Sequence, residues 1–193
     1  ARTTPHAEHI LDIGCGAGNY TLALLRHFQT PQHLPELACT LLDLSAPMLE
    51  RAKARVQAVT PGTVTSIQGD IREIDLGEAR FDVVLTGSAL HHLRHEHEWE
   101  QVFAKVYRSL KLHGSFWISD LVIHEHASVQ AQMWDTYETY LLEHLGPEAR
   151  DAIFAKIEWE DTPRSVTYQL DMLRQVGFCN IDILHKNACF AAF

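Results

Sequence analysis

Short apolar runs alternate with amphipathic stretches along most of this chain, and that alternation restricts the fold more than any other feature. Five runs of strand length are separated by segments whose apolar residues recur at helical spacing. The predicted strands are 9–13, 38–42, 63–67, 81–85 and 115–123. Parallel strands need crossover connections, usually helices, so the pattern predicts a doubly wound, Rossmann-like α/β sheet with helices on both faces.

The amphipathic stretches carry recognisable helix boundaries. Ser45 is the predicted N-cap of the helix after the second strand, and Gly114 is the predicted end of the helix before the fifth. Three more helices are predicted after the fifth strand: one over about 126–145, a shorter one around 148–156, and one from Thr162-Pro163 to Gly177.

The chain finishes with two strand candidates, 179–185 and 188–193, joined at Lys186-Asn187. Two strands joined so tightly must be antiparallel. A length of 193 residues suits one domain. We therefore predict a single domain over 1–193, with a helical insertion at about 126–160.

Composition bears on partners and on the cell compartment. The 16 Lys and Arg residues are outnumbered by 25 Asp and Glu, and the net charge is −9. Nucleic-acid binding depends on neutralising phosphates, so a nucleic-acid partner is disfavoured. No apolar run is long enough to span a membrane, and no signal peptide is recognisable. The four cysteines show no CxxC spacing, which favours a reduced, cytoplasmic protein.

A glycine-rich turn follows the first strand and leads into a helix, in the segment LDIGCGAGNY over 11–20. Glycines let the backbone approach a ligand closely and place a helix N-terminus beneath it. The spacing G-x-G-x-G differs from the G-x-G-x-x-G of dinucleotide-binding proteins, which disfavours a nicotinamide cofactor. A tight turn without a ligand is the alternative.

Polar or small residues also follow the next three strands. Asp43 ends the second strand and is able to accept hydrogen bonds from ribose hydroxyls, although alone it could cap a helix. Asp70 follows the third strand and is able to accept from an adenine amine, although alone it indicates only a turn. The fourth strand leads to Thr86, Gly87 and Ser88. All four segments lie at carboxyl ends of strands, where open α/β sheets bind ligands.

In this order the segments resemble the motifs of class I S-adenosylmethionine-dependent methyltransferases. LDIGCGAGNYT resembles the first motif of that family, LLDLS the acidic second motif and GDI the adenine-contacting motif. FDVVLTGSALHHL resembles the fourth-strand motif and LKLHGSFWISD the fifth-strand segment. The resemblance implies a seven-stranded sheet of order 3-2-1-4-5-7-6 with strand 7 antiparallel, and S-adenosylmethionine as the cofactor.

The resemblance also implies which residues hold the cofactor. Asp12 would orient its methionine end, and the three loop glycines would line its methionine and ribose parts. Asp43 would hold the ribose hydroxyls beside Leu44. The full predicted set is Asp12, Gly14, Gly16, Gly18, Asp43, Leu44, Asp70, Ile71 and Thr86, in which Asp70 and Ile71 would read the adenine edge.

Methyl transfer from a sulfonium requires alignment and exclusion of water, and a base only where the acceptor loses a proton. The predicted catalytic residues are His91 and His92, which follow the fourth strand, where relatives place the transferred methyl group. The alternative is that these histidines only orient the loop. Because histidine-rich loop segments are usually solvated, no metal ion is predicted.

The helical insertion is expected to pass over the acceptor side of the cofactor. Trp134, Tyr137 and Tyr140 could wall an aromatic or apolar acceptor pocket, or they could only pack the insertion against the core. Many relatives carry N-terminal helices over the cofactor, whereas only a short segment precedes the first strand here. Acceptor-pocket residues are therefore not assigned.

These features predict a methyltransferase that uses S-adenosylmethionine on a small-molecule acceptor, with an O, N or C acceptor atom left open. Two alternatives keep the cofactor: a tRNA-modifying enzyme, and an enzyme resembling carboxy-S-adenosylmethionine synthases, to which the terminal part of the chain is faintly similar. A third alternative is a non-catalytic cofactor-binding domain.

Overall fold

A computed structural model describes residues 4, 6–28 and 36–193 of the chain. Its sheet has seven strands in the order β3-β2-β1-β4-β5-β7-β6. The strands are β1 His9–Ile13, β2 Ala38–Asp43, β3 Val64–Gln68, β4 Phe81–Gly87, β5 Leu110–Leu121, β6 His185–Asn187 and β7 Phe190–Ala192. β1 pairs in parallel with β2 and β4, and β7 pairs antiparallel with β5 and β6. The predicted sheet order and the antiparallel seventh strand are confirmed.

Six α-helices connect or follow the strands in the part of the chain described. They are α1 Asn19–Phe28, α2 Ala46–Gln57, α3 Glu96–Ser109, α4 Ala127–Leu145, α5 Pro147–Glu160 and α6 Val166–Val176. A short 3₁₀ turn, Leu90–His92, lies between β4 and α3. No helix in these described ranges is both long and apolar enough to cross a membrane.

Three predicted boundaries are wrong. Residues 179–184 form no strand, and β6 begins only at His185. Gly114 does not end α3, since that helix stops at Ser109 and Gly114 lies inside β5. The last helix does not begin at Thr162-Pro163, because Ser165 is its N-cap and accepts a hydrogen bond from the Tyr168 amide.

The strand registers bring the predicted cofactor residues to one edge of the sheet. Ile13, the last residue of β1, pairs with Leu42 on one side and Thr86 on the other. Asp43 ends β2 opposite Gln68, the last residue of β3. β1 and β2 are almost wholly buried apolar runs, as strands covered on both faces should be. The carboxyl ends of β1, β2, β3 and β4 therefore lie side by side at one edge of the sheet.

The chain divides into two compact units. The first comprises Ala1–Ala89 and Gln101–Ile118, and the second comprises Leu90–Glu100 and Ser119–Phe193. The buried core of the first unit includes Ile10, Leu25, Leu41, Val56, Val64 and Val83. In the second unit, Trp99 is fully buried and its ring meets Tyr168 edge-on, with centroids 6.1 Å apart. A single domain over 1–193 stays a prediction.

Candidate functional site

The glycine loop after β1 has a backbone that only glycine adopts without strain. Gly14, Gly16 and Gly18 all have positive φ, at 65°, 50° and 80°. A Cβ at Gly14 would lie 2.5 Å from the Cβ of Ala89, whereas a Cβ at Gly16 would meet nothing within 4 Å. The loop is thus tightly packed at its start and open above Gly16, where a ligand could approach the backbone.

Arg55 of α2 fastens the end of this loop. Its guanidinium donates hydrogen bonds to the carbonyl oxygen of Ala17, at 2.5 Å, and to the Asn19 side-chain oxygen, at 2.9 Å. Asn19 is the first residue of α1. The loop is therefore held in place by contacts within the protein, which lowers the entropy that ordering it would otherwise cost on binding.

Asp43 joins the loop to the end of β2. One carboxylate oxygen accepts from the Gly16 amide at 2.7 Å, and the other accepts from the Ser45 amide at 2.9 Å. Each carboxylate oxygen has a second acceptor position, so these bonds leave Asp43 able to accept from a ribose hydroxyl. The alternative that Asp43 caps a helix describes part of the role of Asp43, because the Ser45 amide that donates to it belongs to the N-cap residue of α2.

Asp12 is a buried carboxylate, 1% exposed, near the end of β1. Its Oδ2 accepts from the Thr21 amide and from the Thr21 hydroxyl, the latter at 2.6 Å. Its Oδ1 has no hydrogen-bond partner among the residues described. Burial raises the pKa of Asp12 to about 7. An unsatisfied buried carboxylate oxygen is costly, so a cationic or N–H group of a ligand would fit here.

On the adenine side, Asp70 is already paired. The Arg72 guanidinium contacts both of its oxygens, with the shortest distance 2.6 Å, and this hydrogen bonding lowers the pKa of Asp70. An adenine amine would therefore share Asp70 with Arg72. The neighbouring Ile71 is partly buried, and its carbonyl oxygen accepts from Lys105 at 2.7 Å.

Leu44 and Thr86 differ in exposure. Leu44 is 66% exposed, so its predicted place beside the cofactor stays a prediction. Thr86 is buried, and its hydroxyl donates to the carbonyl oxygen of Ile13 at 3.0 Å. That bond ties the ends of β4 and β1 together, so the structural role of Thr86 is evident from its contacts.

The two predicted catalytic histidines lie in the second unit, on the 3₁₀ turn. The His91 ring is held by Asp120 of β5, whose Oδ1 lies 2.5 Å from His91 Nδ1. The other oxygen of Asp120 accepts from the amides of Leu90 and His91. Burial alone would lower the pKa of His91, but the hydrogen bond and charge of Asp120 outweigh it and raise that pKa.

A second carboxylate, Asp161, faces the same histidines. Asp161 Oδ2 lies 3.7 Å from His91 Nε2, and Asp161 Oδ1 lies 3.1 Å from His92 Nδ1. The next residue, Thr162, fixes this contact: its amide donates to the carbonyl oxygen of His91, and its hydroxyl donates to that of Leu93, both at 2.7 Å.

Sequence reasoning missed both carboxylates. Asp120 is visible as an acidic residue at the end of an apolar strand, the same signal that singled out Asp43. Asp161 carries no such signal, since it follows an exposed helix and lies 70 residues from His91.

The aromatic residues of the insertion do not act alike. Trp134 and Tyr137 pack with Phe154, at centroid distances of 5.4 and 5.9 Å, and Tyr137 also meets Phe190. Tyr140 is exposed and stacks on His144, a residue of its own helix. The first two side chains therefore hold α4, α5 and β7 together within this unit, as the packing alternative expects.

Comparison with known proteins adds three similarities. Residues 10–114 match the family described as "Methyltransferase domain". A carboxy-S-adenosyl-L-methionine synthase of Helicobacter pylori is 25% identical over 180 residues, which are 92% of this chain and 69% of that protein. A malonyl-[acyl-carrier protein] O-methyltransferase of Priestia megaterium is 34% identical over 110 residues, which are 57% of this chain and 35% of that protein.

Among solved structures, a phosphoethanolamine N-methyltransferase 2 of Haemonchus contortus, in complex with S-adenosyl-L-methionine, has a similar fold. Its TM-score is 0.62 at 21% identity, over 91% of this chain and 34% of that one. At this identity the similarity shows the fold alone. The chain thus spans about a third of that protein and of the malonyl-[acyl-carrier protein] relative.

Proposed function

This chain belongs to the class I S-adenosylmethionine-dependent methyltransferase family, and from that premise we propose that it transfers a methyl group to a small-molecule acceptor. The observation that carries the proposal is the glycine loop, pinned by Arg55 and Asp43 and open above Gly16. The cofactor would supply an electrophilic methyl group, and the protein would align it with the acceptor.

The proposed cofactor site consists of groups left with unused hydrogen-bonding capacity. Asp43 keeps acceptor positions for ribose hydroxyls, and the unpartnered oxygen of Asp12 suits the ammonium of the methionine end. Asp70 and Ile71 are proposed for the adenine edge, beside the exposed Leu44. Thr86 is proposed to keep the β4 and β1 ends in register beneath the ligand.

Isothermal titration with S-adenosylhomocysteine tests this assignment. Asp43→Ala should weaken binding by about 1–3 kcal/mol, because it leaves the ribose hydroxyls without their acceptor. Asp171→Ala, which removes an exposed helical carboxylate paired with Arg174, is the matched control and should bind like the wild type. Equal affinity of Asp43→Ala and wild type, or comparable affinity for NADH, would reject the assignment.

For an acceptor that must lose a proton, we propose that one of His91 and His92 accepts it. The rings are 4.3 Å apart and tilted by 60°, so the two do not present equivalent nitrogens to one acceptor. His91→Gln or His92→Gln should lower turnover by about 10²–10⁴-fold while leaving S-adenosylhomocysteine affinity unchanged. Full turnover in both variants would reject the base role, and catalysis would then rest on alignment of the acceptor and exclusion of water alone.

A second candidate function alters the cofactor itself, as the name of the Helicobacter pylori relative implies for that protein. Mass spectrometry of the cofactor separates the two after incubation with candidate methyl acceptors and, in parallel, with candidate carboxylic-acid donors. S-adenosylhomocysteine as the product supports methyl transfer, whereas a cofactor in which a carboxyl group taken from the donor replaces a methyl hydrogen supports the alternative. No change with any acceptor favours a non-catalytic binding domain.

We propose a cytoplasmic location, since all four cysteines are free thiols.

A further inference from the structure

The 3₁₀ turn Leu90–His92, called the histidine turn below, contributes two residues to a cluster with the composition of a metal site. We propose that His91, His92 and Asp161 bind one divalent first-row transition-metal ion of the zinc type. They are the one group of three or more potential ligands that the described part of the chain brings together, each offering an atom within 4.8 Å of the others. This inference goes beyond methyl transfer and does not depend on it.

The spacing of the ligand atoms suits such an ion. Zinc binds imidazole nitrogen and carboxylate oxygen at about 2.0–2.2 Å, so neighbouring ligand atoms in a tetrahedral site lie about 3.3–3.6 Å apart. Asp161 Oδ1 lies 3.1 Å from His92 Nδ1, and Asp161 Oδ2 lies 3.7 Å from His91 Nε2. The three ligand atoms lie within 4.8 Å of one another, so side-chain shifts of up to about 1 Å would bring them to this spacing.

Asp120 supplies the outer support that metal-binding histidines usually have. A ligating imidazole typically donates its other N–H to a carboxylate, which fixes the ring and its tautomer. His91 Nδ1 lies 2.5 Å from Asp120 Oδ1, so the neutral ring carries its lone pair on Nε2, the nitrogen nearest Asp161. Asp120 itself is 1% exposed and is fixed by two backbone amides.

Asp161 provides an independent reason to expect a cation. Its side chain is only 6% exposed, and Oδ1 accepts no hydrogen bond from the residues described, although His92 Nδ1 lies 3.1 Å away. A buried carboxylate oxygen without a partner is unfavourable. A metal ion between Asp161 and the rings would satisfy this oxygen together with the nitrogen that faces it.

Access and charge also fit. The His92 side chain is 47% exposed, so an ion would reach the cluster from solvent past that ring. Two carboxyl groups, those of Asp120 and Asp161, lie beside the two rings, and they would attract a divalent cation. Three protein ligands leave one position of a tetrahedral site open, the arrangement found in catalytic rather than structural zinc sites.

Metal binding and the proposed base role exclude each other on the same ring nitrogen. An ion on His91 Nε2 and His92 Nδ1 would occupy the lone pairs that a base needs. A metal-bound cluster would instead polarise an oxygen ligand in the open position, which favours its loss of a proton.

Competition with a chromophoric chelator measures Zn²⁺ affinity in the protein freed of metal, and Co²⁺ substitution reports coordination through its visible absorption. The wild type should bind one equivalent. Asp161→Asn and His92→Ala should each weaken Zn²⁺ binding by at least tenfold, the lower limit usual for a supporting residue, and Asp120→Asn by about 10–100-fold. His97→Ala, which removes a neighbouring exposed histidine stacked on His95, should leave the affinity unchanged.

Circular dichroism and thermal melting confirm that each variant is folded. Folded wild-type protein that binds no Zn²⁺, or equal affinity in wild type, Asp161→Asn and His92→Ala, would overturn the metal proposal. S-adenosylhomocysteine titration of the same wild-type sample keeps the two proposals separate: metal binding without nucleoside binding rejects only the cofactor assignment, and the converse rejects only the metal site.

Discussion

At the scale of single residues, burial and hydrogen bonding shift the pKa of Asp12 in opposite directions. It is buried beside the glycine loop, and burial raises its pKa from 3.8 to about 7, against the hydrogen bonds from Thr21. The folded chain therefore keeps a proton on Asp12 up to about pH 7, whereas the unfolded chain releases it near pH 4. Folding takes up a proton in this interval, and stability falls as pH rises through it.

We predict that Asp12→Asn removes this pH dependence. The free energy of unfolding of the wild type should fall relative to that of the variant as pH rises from about 4 to 7. The difference between the two should change by roughly 4 kcal/mol at most. Urea denaturation at several pH values measures the difference. Parallel profiles would contradict the assignment.

Asp82 of β4 offers the opposite case as a control. Burial would raise its pKa, but Lys111 and the amides of Glu8 and His9 outweigh burial and lower it. Its contribution to stability is present above the unfolded value and is lost as pH falls through the folded value. Asp82→Asn should therefore lose stability relative to the wild type near neutral pH and approach it in acid.

The residue scale also shows where sequence reasoning ends. Asp43 and Asp70 could be singled out because each follows an apolar run at a strand end, and the registers of β1, β2 and β3 then bring those ends together. Asp161 could not, because it is brought to His91 by tertiary contacts, among them the hydrogen bond from the Thr162 amide to the His91 carbonyl oxygen. Local patterns reveal residues at strand ends, and they do not reveal long-range partners of a turn.

At the scale of elements, two helix starts provide a matched pair. Ser165 caps α6 with its side chain, which accepts from the Tyr168 amide at 3.1 Å. Ser45 stands at the same position of α2 but makes no side-chain cap bond. Ser165→Ala should lower the free energy of unfolding by about 1 kcal/mol, because an orphan amide loses its acceptor.

Ser45→Ala should change the free energy of unfolding by less than about 0.5 kcal/mol. Chemical denaturation of both variants under one condition measures the contrast. Equal losses would show that capping geometry does not govern these two helix starts.

Strands were predicted correctly where the apolar run is buried along its length. The prediction failed for β6, whose position is set by its pairing with β7. β1, β2 and β4 are apolar runs covered on both faces, and their predicted bounds agree with the structure to within two residues. The segment 179–184 has strand-like residues, but Ile183 and Leu184 are more than half exposed. β6 forms instead at His185–Asn187, where the turn at Ala188 brings it onto β7.

At the scale of the whole molecule, charge governs encounters with other macromolecules. The net charge of −9 opposes binding to a polyanion. We predict only weak, nonspecific binding to mixed tRNA at physiological salt in a fluorescence anisotropy titration. Submicromolar binding at that salt would support a tRNA-modifying enzyme in place of a small-molecule methyltransferase.

The two compact units are not contiguous in sequence, and this has a consequence for vectorial synthesis on the ribosome. The first unit includes Gln101–Ile118 as well as the residues through Ala89. A nascent chain that has emerged only through β4 contains the whole glycine loop but lacks the segment that completes its unit. We therefore expect co-translational folding of that unit to finish only after Ile118 has emerged, when the histidine turn has already left the exit tunnel.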